Sequence, residues 1–290
     1  NEAIKEVNSN IDIIGFHGQT IFHSAKEMVS KQLGDGKLLS QETKKKVVYD
    51  FRQNDLKNGG EGAPLAPIFH KLISEKIKVE PPLCVINLGG IANITSIESG
   101  EISDLGSQDI GPGNCLIDEW IKKNTNKKYD KDGLIAKSGK KDILILNQAL
   151  DNHDNLKKKN ILSYDTKDFD LSFVRGLSLE DGAATLTEFT GKLLAEATLN
   201  YISKLKTKPK KILVCGGGRK NSTLINCLKD NMNIGNLVEN IDNFGVDGDF
   251  IESQAFAYLA IRSFLNLPIS FPKTTGCKHP STGGKLVNNF

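Results

Sequence analysis

The sequence predicts an α/β protein built in at least two parts, and three observations predict it. Short apolar segments such as IDIIGF (11–16) alternate with amphipathic segments of helical length. Three short strands joined by glycine-bearing turns, between residues 83 and 107, form a meander. The sequence EPP at 80–82 separates this meander from the helix before it, because proline cannot continue a helix.

The composition is that of a globular chain of about two ordinary domains. Of the 290 residues, 38% are hydrophobic and 25% are charged, and the formal net charge of +3 is too small to predict a nucleic-acid-binding surface. No apolar run approaches the roughly 20 residues of a membrane span, and no signal peptide opens the sequence. The five cysteines form no CxxC pair. We therefore expect a cytoplasmic protein that binds neither nucleic acid nor membrane.

Before residue 80, strands and helices alternate. IDIIGF predicts a buried strand, and HGQTIFH (17–23) predicts a loop. A helical stretch leads to the strand VVYDF (47–51), which a loop rich in glycine follows at 52–64. A helix is predicted over 65–77.

After the boundary at 80–82, the meander leads into alternating helices and strands. The predicted elements are strands at 83–89, 92–98 and 101–107, helices near 114–123, 133–138, 142–150, 178–205 and 221–230, a strand at 211–218 and a helix at 250–265. Ser178, with Asp181 three residues later, predicts a helix N-cap. Residues 151–175 show little pattern, and an irregular tail is expected from Pro272.

Two glycine-bearing segments are candidates for phosphate binding. In INLGGIANIT (86–95), a turn at Gly89–Gly90 brings bare backbone N–H groups within reach of an oxyanion, although taken alone an ordinary Gly-Gly hairpin is the commoner explanation. ILVCGGGRKN (212–221) is a strand that runs into glycines before a helix. A GxGxxG fingerprint fails there because Asn221 stands where a glycine is needed, and no Gly-Lys pair is followed by Ser or Thr as a P-loop requires.

Polar side chains after two predicted strands are candidates for substrate chemistry. Asp50, near the end of VVYDF, and Arg52 and Asp55, which follow it, suit sugar hydroxyls, although a solvated surface loop is an equal alternative. Asp109, in QDIGPGN (108–114), is either a general base or an ordinary turn residue. Arginine is rare, so each of Arg52, Arg175, Arg219 and Arg262 is a candidate for oxyanion binding. No metal-binding motif occurs, and we expect no metal ligand from the chain.

Seven strings, taken in order along nearly the whole chain, resemble the anhydro-N-acetylmuramic acid kinases. They are GFHGQTIFH, YDFRQNDLKNGGEGAPLAPIFH, INLGGIANIT, QDIGPGN, YDKDG, LVCGGGRKN and IESQAFAYLAIR. The resemblance implies the sugar kinase, heat-shock chaperone and actin ATPase superfamily: an α/β actin-like ATPase fold with two RNase H-like lobes and a nucleotide cleft between them. The implied lobes are 1–81, with 266–290 returning to it, and 82–265. The first lobe would be incomplete, since the family's opening phosphate loop MSGTSLDG does not occur.

The resemblance also implies roles for individual residues. Asp109 would be the catalytic base. The sugar would contact His17, Gln19, Asp50, Arg52, Asp55 and Glu252. ATP would contact Gly89, Gly90, Asn93, Gly111, Gly113, Asn114, Gly216, Gly217, Gly218 and Asn221.

The reaction implied by the resemblance uses ATP, Mg²⁺ and water. It opens the 1,6-anhydro ring of anhydro-N-acetylmuramic acid and phosphorylates O6, giving N-acetylmuramate 6-phosphate and ADP in cell-wall recycling. Family resemblance also implies a homodimer. The alternative is a truncated, non-catalytic ATP-binding module of the same superfamily, which would bind nucleotide without sugar-dependent release of ADP.

Overall fold

The structure, a computed structural model, describes residues 10–156, 164 and 166–290. The chain divides into two compact units, Asn1–Lys78 with Gly100–Ser107 and Phe250–Phe290, and Val79–Ser99 with Gln108–Asp249. Both contain helices and strands, which confirms the α/β class. The helix predicted at 250–265 clusters with the first unit, whereas the sequence placed it in the second lobe. The lobe limits themselves stay a prediction.

The first unit contains a small mixed sheet. Its described elements are β1 (Ile13–Phe16), β2 (Gln19–Ser24), β3 (Val29–Leu33), α1 (Gly36–Thr43), β4 (Lys46–Tyr49), α2 (Gln53–Lys57), α3 (Pro67–Lys76), α9 (Ile251–Phe264), α10 (Pro272–Thr275) and β10 (Lys285–Val287). β4 lies between β1, which is parallel to it, and β10, which is antiparallel. α9 packs on β1 and β4 at short range, because a Cβ at Gly15 would lie only 2.5 Å from the carbonyl oxygen of Phe256.

Four predictions for this unit are wrong. The stretch predicted as helical before VVYDF contains β3 as well as α1, and the loop predicted at 52–64 contains the short helix α2. HGQTIFH is not a loop, since β2 pairs with β3 in an antiparallel hairpin. The first four residues of β2 are exposed, so the strand lacks the buried alternate positions by which strands are recognised in a sequence. The tail from Pro272 is not irregular throughout, because it forms α10 and β10. β10 is a strand through its pairing with β4, which no local pattern reveals.

The second unit is built on a five-stranded sheet in the order β7-β6-β5-β8-β9. Its described elements are β5 (Leu83–Leu88), β6 (Ile91–Ile97), β7 (Leu105–Pro112), α4 (Cys115–Asn124), α5 (Leu134–Ser138), α6 (Ile143–Leu156), α7 (Leu179–Ser203), β8 (Lys211–Cys215), α8 (Ser222–Asp230) and β9 (Val238–Asn240). β5 runs antiparallel to β6 and parallel to β8. The core lies where the sheet meets α4, α7 and α8, and includes Ile86, Ile94, Ile121, Leu194 and Leu224, each fully buried.

The helix start at Ser178 is confirmed, because its side chain accepts the backbone N–H of Asp181 at 3.1 Å. The third strand of the meander is misplaced in the prediction: 101–104 hold a short 3₁₀ turn, and β7 extends to Pro112. QDIGPGN is therefore largely strand. The unpatterned stretch 151–175 falls partly outside the described residues. Within the described part of the chain, no helix is both long and apolar enough to cross a membrane.

Candidate active site

The turn at Gly89–Gly90 is bonded to the glycine turn that ends β7. The N–H of Gly113 donates to the carbonyl oxygen of Gly90 at 2.9 Å, and the N–H of Asn114 donates to that of Gly89 at 2.8 Å. A Cβ on Gly113 would lie 2.1 Å from the oxygen of Gly89, so no larger residue fits at this position. The two turns thus form one backbone platform at the end of β5.

The glycines after β8 lie against the same end of β5. Gly216 has a φ of +79°, and a Cβ there would lie 2.4 Å from Oδ1 of Asn87. A Cβ on Gly218 would lie 2.7 Å from the Cβ of Leu88. Because β5 and β8 are parallel neighbours, their carboxyl ends meet at one edge of the sheet. Such an edge is where α/β proteins bind nucleotides.

Gly217 differs from its two neighbours in facing free space. The nearest atom to a Cβ built on it is Nδ2 of Asn114, at 4.0 Å. The Asn114 amide also lies within about 3 Å of the Cβ position of Gly218. The structure therefore brings together three of the predicted ATP segments, at 89–90, 113–114 and 216–218, and leaves open space beside Gly217.

Three further predicted ATP contacts are placed individually. Asn93 lies on β6, and its Oδ1 is buried with no hydrogen-bond partner among the described residues. Asn221 is the N-cap of α8, where its side chain accepts the N–H of Leu224 at 3.0 Å. Gly111 has a φ of +130° and lies in β7. Asn221 thus has a structural task, whereas the free Oδ1 of Asn93 has no partner that would explain its burial.

Asp109 lies on β7 with its side chain half-buried. Its neighbour Ile110 is buried in the core, so Asp109 projects from the opposite face of the strand. Oδ2 of Asp109 accepts the backbone N–H of Tyr164 at 3.0 Å. This hydrogen bond helps to hold the carboxylate in a defined orientation, which a general base requires.

In the first unit, Arg52 connects two of the segments predicted to bind sugar, 17–23 and 50–62, through hydrogen bonds. Its Nε donates to Nε2 of His17 at 3.1 Å, and its Nη1 donates to the carbonyl oxygen of Gly62 at 2.8 Å. Nδ1 of His17 donates to the carbonyl of Gly18 at 2.6 Å. These contacts fix the neutral tautomer with the proton on Nδ1. Burial, reinforced by the charge of Arg52, lowers the pKa of His17 to about 4.

His17 and Asp50 line one pocket of about 300 Å³, a volume suited to a small ligand. Asp50, at a φ of +58°, forms an ion pair of 2.6 Å with Lys285. The pocket is also lined by Phe16, Ser30, Gln32, Leu33, Gly34, Tyr49, Gln53 and Lys285. Sequence reasoning missed Lys285, since only the pairing of β10 with β4 brings it to Asp50.

Asp55 is buried and has both carboxylate oxygens occupied. Oδ2 accepts the N–H of Gly62, and Oδ1 accepts the hydroxyl of Thr275, each at 2.7 Å. A Cβ on Gly60 would lie 2.3 Å from Oδ2. The structure thus makes Asp55 the centre of the loop at 55–62, and its contact with a sugar stays a prediction.

The remaining sugar candidates are exposed. Gln19 begins β2, and Glu252 lies in the first turn of α9. Glu252 and Phe256 are four residues apart and share one face of that helix. Phe256 stacks on His17 with ring centroids 4.1 Å apart. Glu252 therefore lies on the helix face that packs on His17, while Gln19 follows His17 directly along the chain.

Within residues 10–156, 164 and 166–290, no group of three or more His, Cys, Asp or Glu side chains is arranged to hold a metal ion. A Mg²⁺ ion carried by nucleotide phosphates keeps several waters and needs only one or two protein oxygens. The unpartnered Oδ1 of Asn93 is such an oxygen, so the site fits an ion that enters with its nucleotide.

Comparisons with known proteins agree on one family. The profile of anhydro-N-acetylmuramic acid kinase matches residues 3–289. The enzyme of that name from Pelagibacter ubique is 55% identical over 289 residues, covering 100% of this chain and 77% of its own. Those of Zymomonas mobilis and Rhodospirillum rubrum are 46% and 42% identical, covering 96% and 94% of this chain and 74% and 70% of their own.

Among solved structures, the activator of 2-hydroxyisocaproyl-CoA dehydratase from Clostridium difficile, with bound ADPNP, overlaps with a TM-score of 0.42 at 12% identity. The overlap covers 68% of this chain and 66% of that chain. A likeness of that extent carries no information on function.

Proposed function

The chain belongs to the anhydro-N-acetylmuramic acid kinase family, and we propose that it uses ATP and water to convert anhydro-N-acetylmuramic acid into N-acetylmuramate 6-phosphate and ADP. The match of 94–100% of this chain to relatives of that name supports a catalyst over a module that only binds nucleotide. The reaction would serve the recycling of cell-wall sugars.

One observation carries the nucleotide half of this proposal: the meeting of the turns at 89–90 and 113–114 with the loop at 216–218. Bare backbone N–H groups are good ligands for phosphate oxygens, because no side chain keeps the anion at a distance. The phosphates would lie on the turn Gly89–Gly90, and the adenosine would lie beside Gly217, where the structure leaves space. The amide of Asn114 would contact the nucleotide from the β7 side.

Asp109 is assigned to the water that opens the sugar ring. Its carboxylate would accept a proton while the water oxygen forms a bond to the anomeric carbon and the bond from that carbon to O6 breaks. O6 gains the electron pair and attacks the γ-phosphorus, from which ADP departs. One base thus serves both bond changes, since O6 becomes a nucleophile only as the ring opens.

The sugar is assigned to the residues around His17. The neutral ring of His17 would pack against the sugar. The guanidinium of Arg52 would donate N–H hydrogen bonds to hydroxyl and carbonyl oxygens of the sugar. Asp50, which lines the same pocket, would accept hydrogen bonds from sugar hydroxyls. Glu252, on the helix face that packs on His17, is assigned to the same ligand.

ATP use implies Mg²⁺ and a location where ATP is available. The ion would neutralise phosphate charge, with Oδ1 of Asn93 accepting a hydrogen bond from one of its waters. The reaction itself suits the cytoplasm. The proposal also includes a homodimer, on the basis of the family resemblance. It includes no nucleic-acid partner, on the basis of the small net charge.

Product analysis in H₂¹⁸O tests the proposed function. The purified chain, ATP, Mg²⁺ and anhydro-N-acetylmuramic acid should yield ADP only when the sugar is present. The sugar phosphate should carry one ¹⁸O at C1 and none in its phosphate group, because water attacks C1 and the original O6 atom forms the bond to phosphorus. Nucleotide binding without sugar-dependent formation of ADP would favour the non-catalytic module, and ¹⁸O in free inorganic phosphate would show that ATP is hydrolysed by water instead.

A further inference from the structure

Arg219 is buried among the carboxylates of a single loop at 242–249. Its side chain is 2% exposed. Nε lies 2.9 and 3.0 Å from the two oxygens of Asp242, and Nη1 lies 2.7 Å from Oδ1 of Asp249. Nη2 lies 3.6 Å from Oδ1 of Asp247. The positive charge of the guanidinium is therefore compensated entirely by one segment of chain, which we call the acidic loop.

The same guanidinium has a further contact outside the acidic loop. Nη1 of Arg219 donates to the carbonyl oxygen of Gly216 at 3.1 Å, and the backbone N–H of Arg219 donates to that oxygen at 3.2 Å. Gly216 begins the loop that the proposed function assigns to adenosine. Its φ of +79° and its close approach to Asn87 and Leu88 leave it little freedom of its own.

The backbone of the acidic loop closes over Arg219. A Cβ on Gly248 would lie 2.2 Å from Nε of Arg219, so the loop reaches this distance only with glycine. The N–H of Gly248 donates to Oδ1 of Asp242 at 2.8 Å, which orients the carboxylate toward Nε. Any side chain at 248 would displace the guanidinium.

A buried arginine is stable only when its donors are satisfied. Burial alone would lower the pKa of Arg219, but its hydrogen bonds with Asp242 and Asp249 outweigh burial and raise it. The guanidinium donates from separate nitrogens, Nε to Asp242 and Nη1 to Asp249 and Gly216, whereas the three donors of a lysine ammonium all leave one nitrogen and do not reproduce this spacing. The chemistry at 219 thus requires arginine and not merely a positive charge.

We propose that Arg219 is a positioning residue for nucleotide binding: held by Asp242 and Asp249, it fixes the carbonyl of Gly216 and with it the shape of the loop at 216–218. The proposal rests on the proposed function, which assigns that loop to adenosine. It couples the acidic loop, which has no assigned contact with nucleotide, to the affinity for ATP.

Steady-state kinetics and ADP binding in four variants test this. Arg219→Gln should raise the KM for ATP and the Kd for ADP about tenfold, as expected for the loss of a hydrogen bond to a charged group, with the KM for sugar unchanged. Arg219→Lys should not restore either constant. Gly248→Ala should have the same effect as Arg219→Gln, because it displaces the guanidinium while leaving it in the chain.

Lys220→Gln is the matched control. Lys220 forms an ion pair with the same Asp249, but its side chain is half exposed and has no recorded contact with Gly216. It should leave the KM for ATP unchanged. Should Arg219→Gln not fold, Gly248→Ala and Arg219→Lys carry the test.

The outcomes distinguish failure of the inference about Arg219 from failure of the adenosine assignment. A folded Gly248→Ala or Arg219→Gln protein with a lower Tm but an unchanged Kd for ADP would show a structural role only and overturn the inference. Rescue by Arg219→Lys would show that charge suffices, which also overturns it. If Gly217→Val leaves the KM for ATP unchanged, the assignment of the loop to adenosine fails, independently of Arg219.

Discussion

The Nε–H of Arg52 points at Nε2 of His17, 3.1 Å away, so the histidine ring must be neutral with its own proton on Nδ1. A protonated His17 would place two donors face to face beside a positive charge. This contact makes the first prediction, which concerns pH.

The pKa of His17 should be about 4, against an ordinary value of 6.5. Between these values the unfolded chain binds more protons than the folded chain, so the His17 contribution to stability is complete above pH 6.5 and is lost as pH falls toward 4. NMR of the imidazole nitrogens measures both the tautomer and the pKa. Titration near 6.5, or a proton on Nε2, would contradict the assignment.

His70 must be separated from His17 in that experiment, because complete burial lowers its pKa to about 4 as well. In His17→Gln, the free energy of unfolding should fall less steeply below pH 6.5 than in the wild type. The remaining decrease is the contribution of His70. The two imidazoles are distinguished by assigning their signals in His17→Gln.

Gly217→Val should raise the KM for ATP at least about tenfold and leave the KM for the sugar unchanged, because a side chain would occupy the space proposed for adenosine. The nearest atom to the new Cβ is 4.0 Å away, so the fold should persist. Gly100→Val is the control, since a Cβ there meets nothing within 4 Å. An unchanged KM for ATP in a folded Gly217→Val protein would refute the adenosine assignment.

Arg52→Ala should lower kcat/KM for the sugar by about 5- to 150-fold, which corresponds to roughly 1–3 kcal/mol for charge-assisted hydrogen bonds. The KM for ATP should stay the same. Since Arg52 also binds the carbonyl of Gly62, thermal unfolding must be measured beside the kinetics. A lower Tm with unchanged sugar kinetics would assign Arg52 to the loop alone.

Asp109→Asn should reduce kcat by about 10²–10⁴, the usual contribution of a positioned base. The amide oxygen can still accept the N–H of Tyr164, so the local structure should survive. ATP binding, measured by calorimetry, should also survive. Ring opening and phosphorylation should fail together; a variant that opens the ring at the native rate would remove Asp109 from the role of base.

Asp55→Ala should lower the free energy of unfolding by about 1–3 kcal/mol, because it leaves the N–H of Gly62 and the hydroxyl of Thr275 buried without an acceptor. Chemical denaturation measures this. Asp50→Ala is the comparison, since the partner Lys285 is largely exposed and its loss should change stability far less. Equal effects of the two variants would contradict the structural task assigned to Asp55.

The glycine segments could be identified from the sequence, but their proximity in the folded chain could not be predicted from it. Gly89, Gly90 and Gly216–Gly218 stand out because close backbone approach to an anion demands glycine in any fold. That Gly113 bonds to Gly90 depends on which strands are neighbours, and strand order leaves no local trace. The same is true of Lys285, which reaches Asp50 only through the pairing of β10 with β4.

Burial was the second property beyond reach of the sequence. The sequence predicts a sugar contact for Asp55 because carboxylates bind hydroxyls, but it does not predict that the loop folds around this buried side chain; the sugar contact stays a prediction. Arg219 was singled out only for the scarcity of arginine. The acidic residues that enclose it lie more than twenty positions later, in a segment without periodic pattern.

The pairing of Lys285 with Tyr49 has a consequence for the order in which the protein is made. The last residue of the second unit is Asp249, so all of its residues have been synthesised before the helix at 251–264 and β10. The first unit is completed later, because β4 pairs with β10 and β1 packs against the helix at 251–264, both of which are synthesised after the second unit. During synthesis, β1 and β4 thus obtain their covering helix and their second pairing strand only after every residue of the second unit has been made.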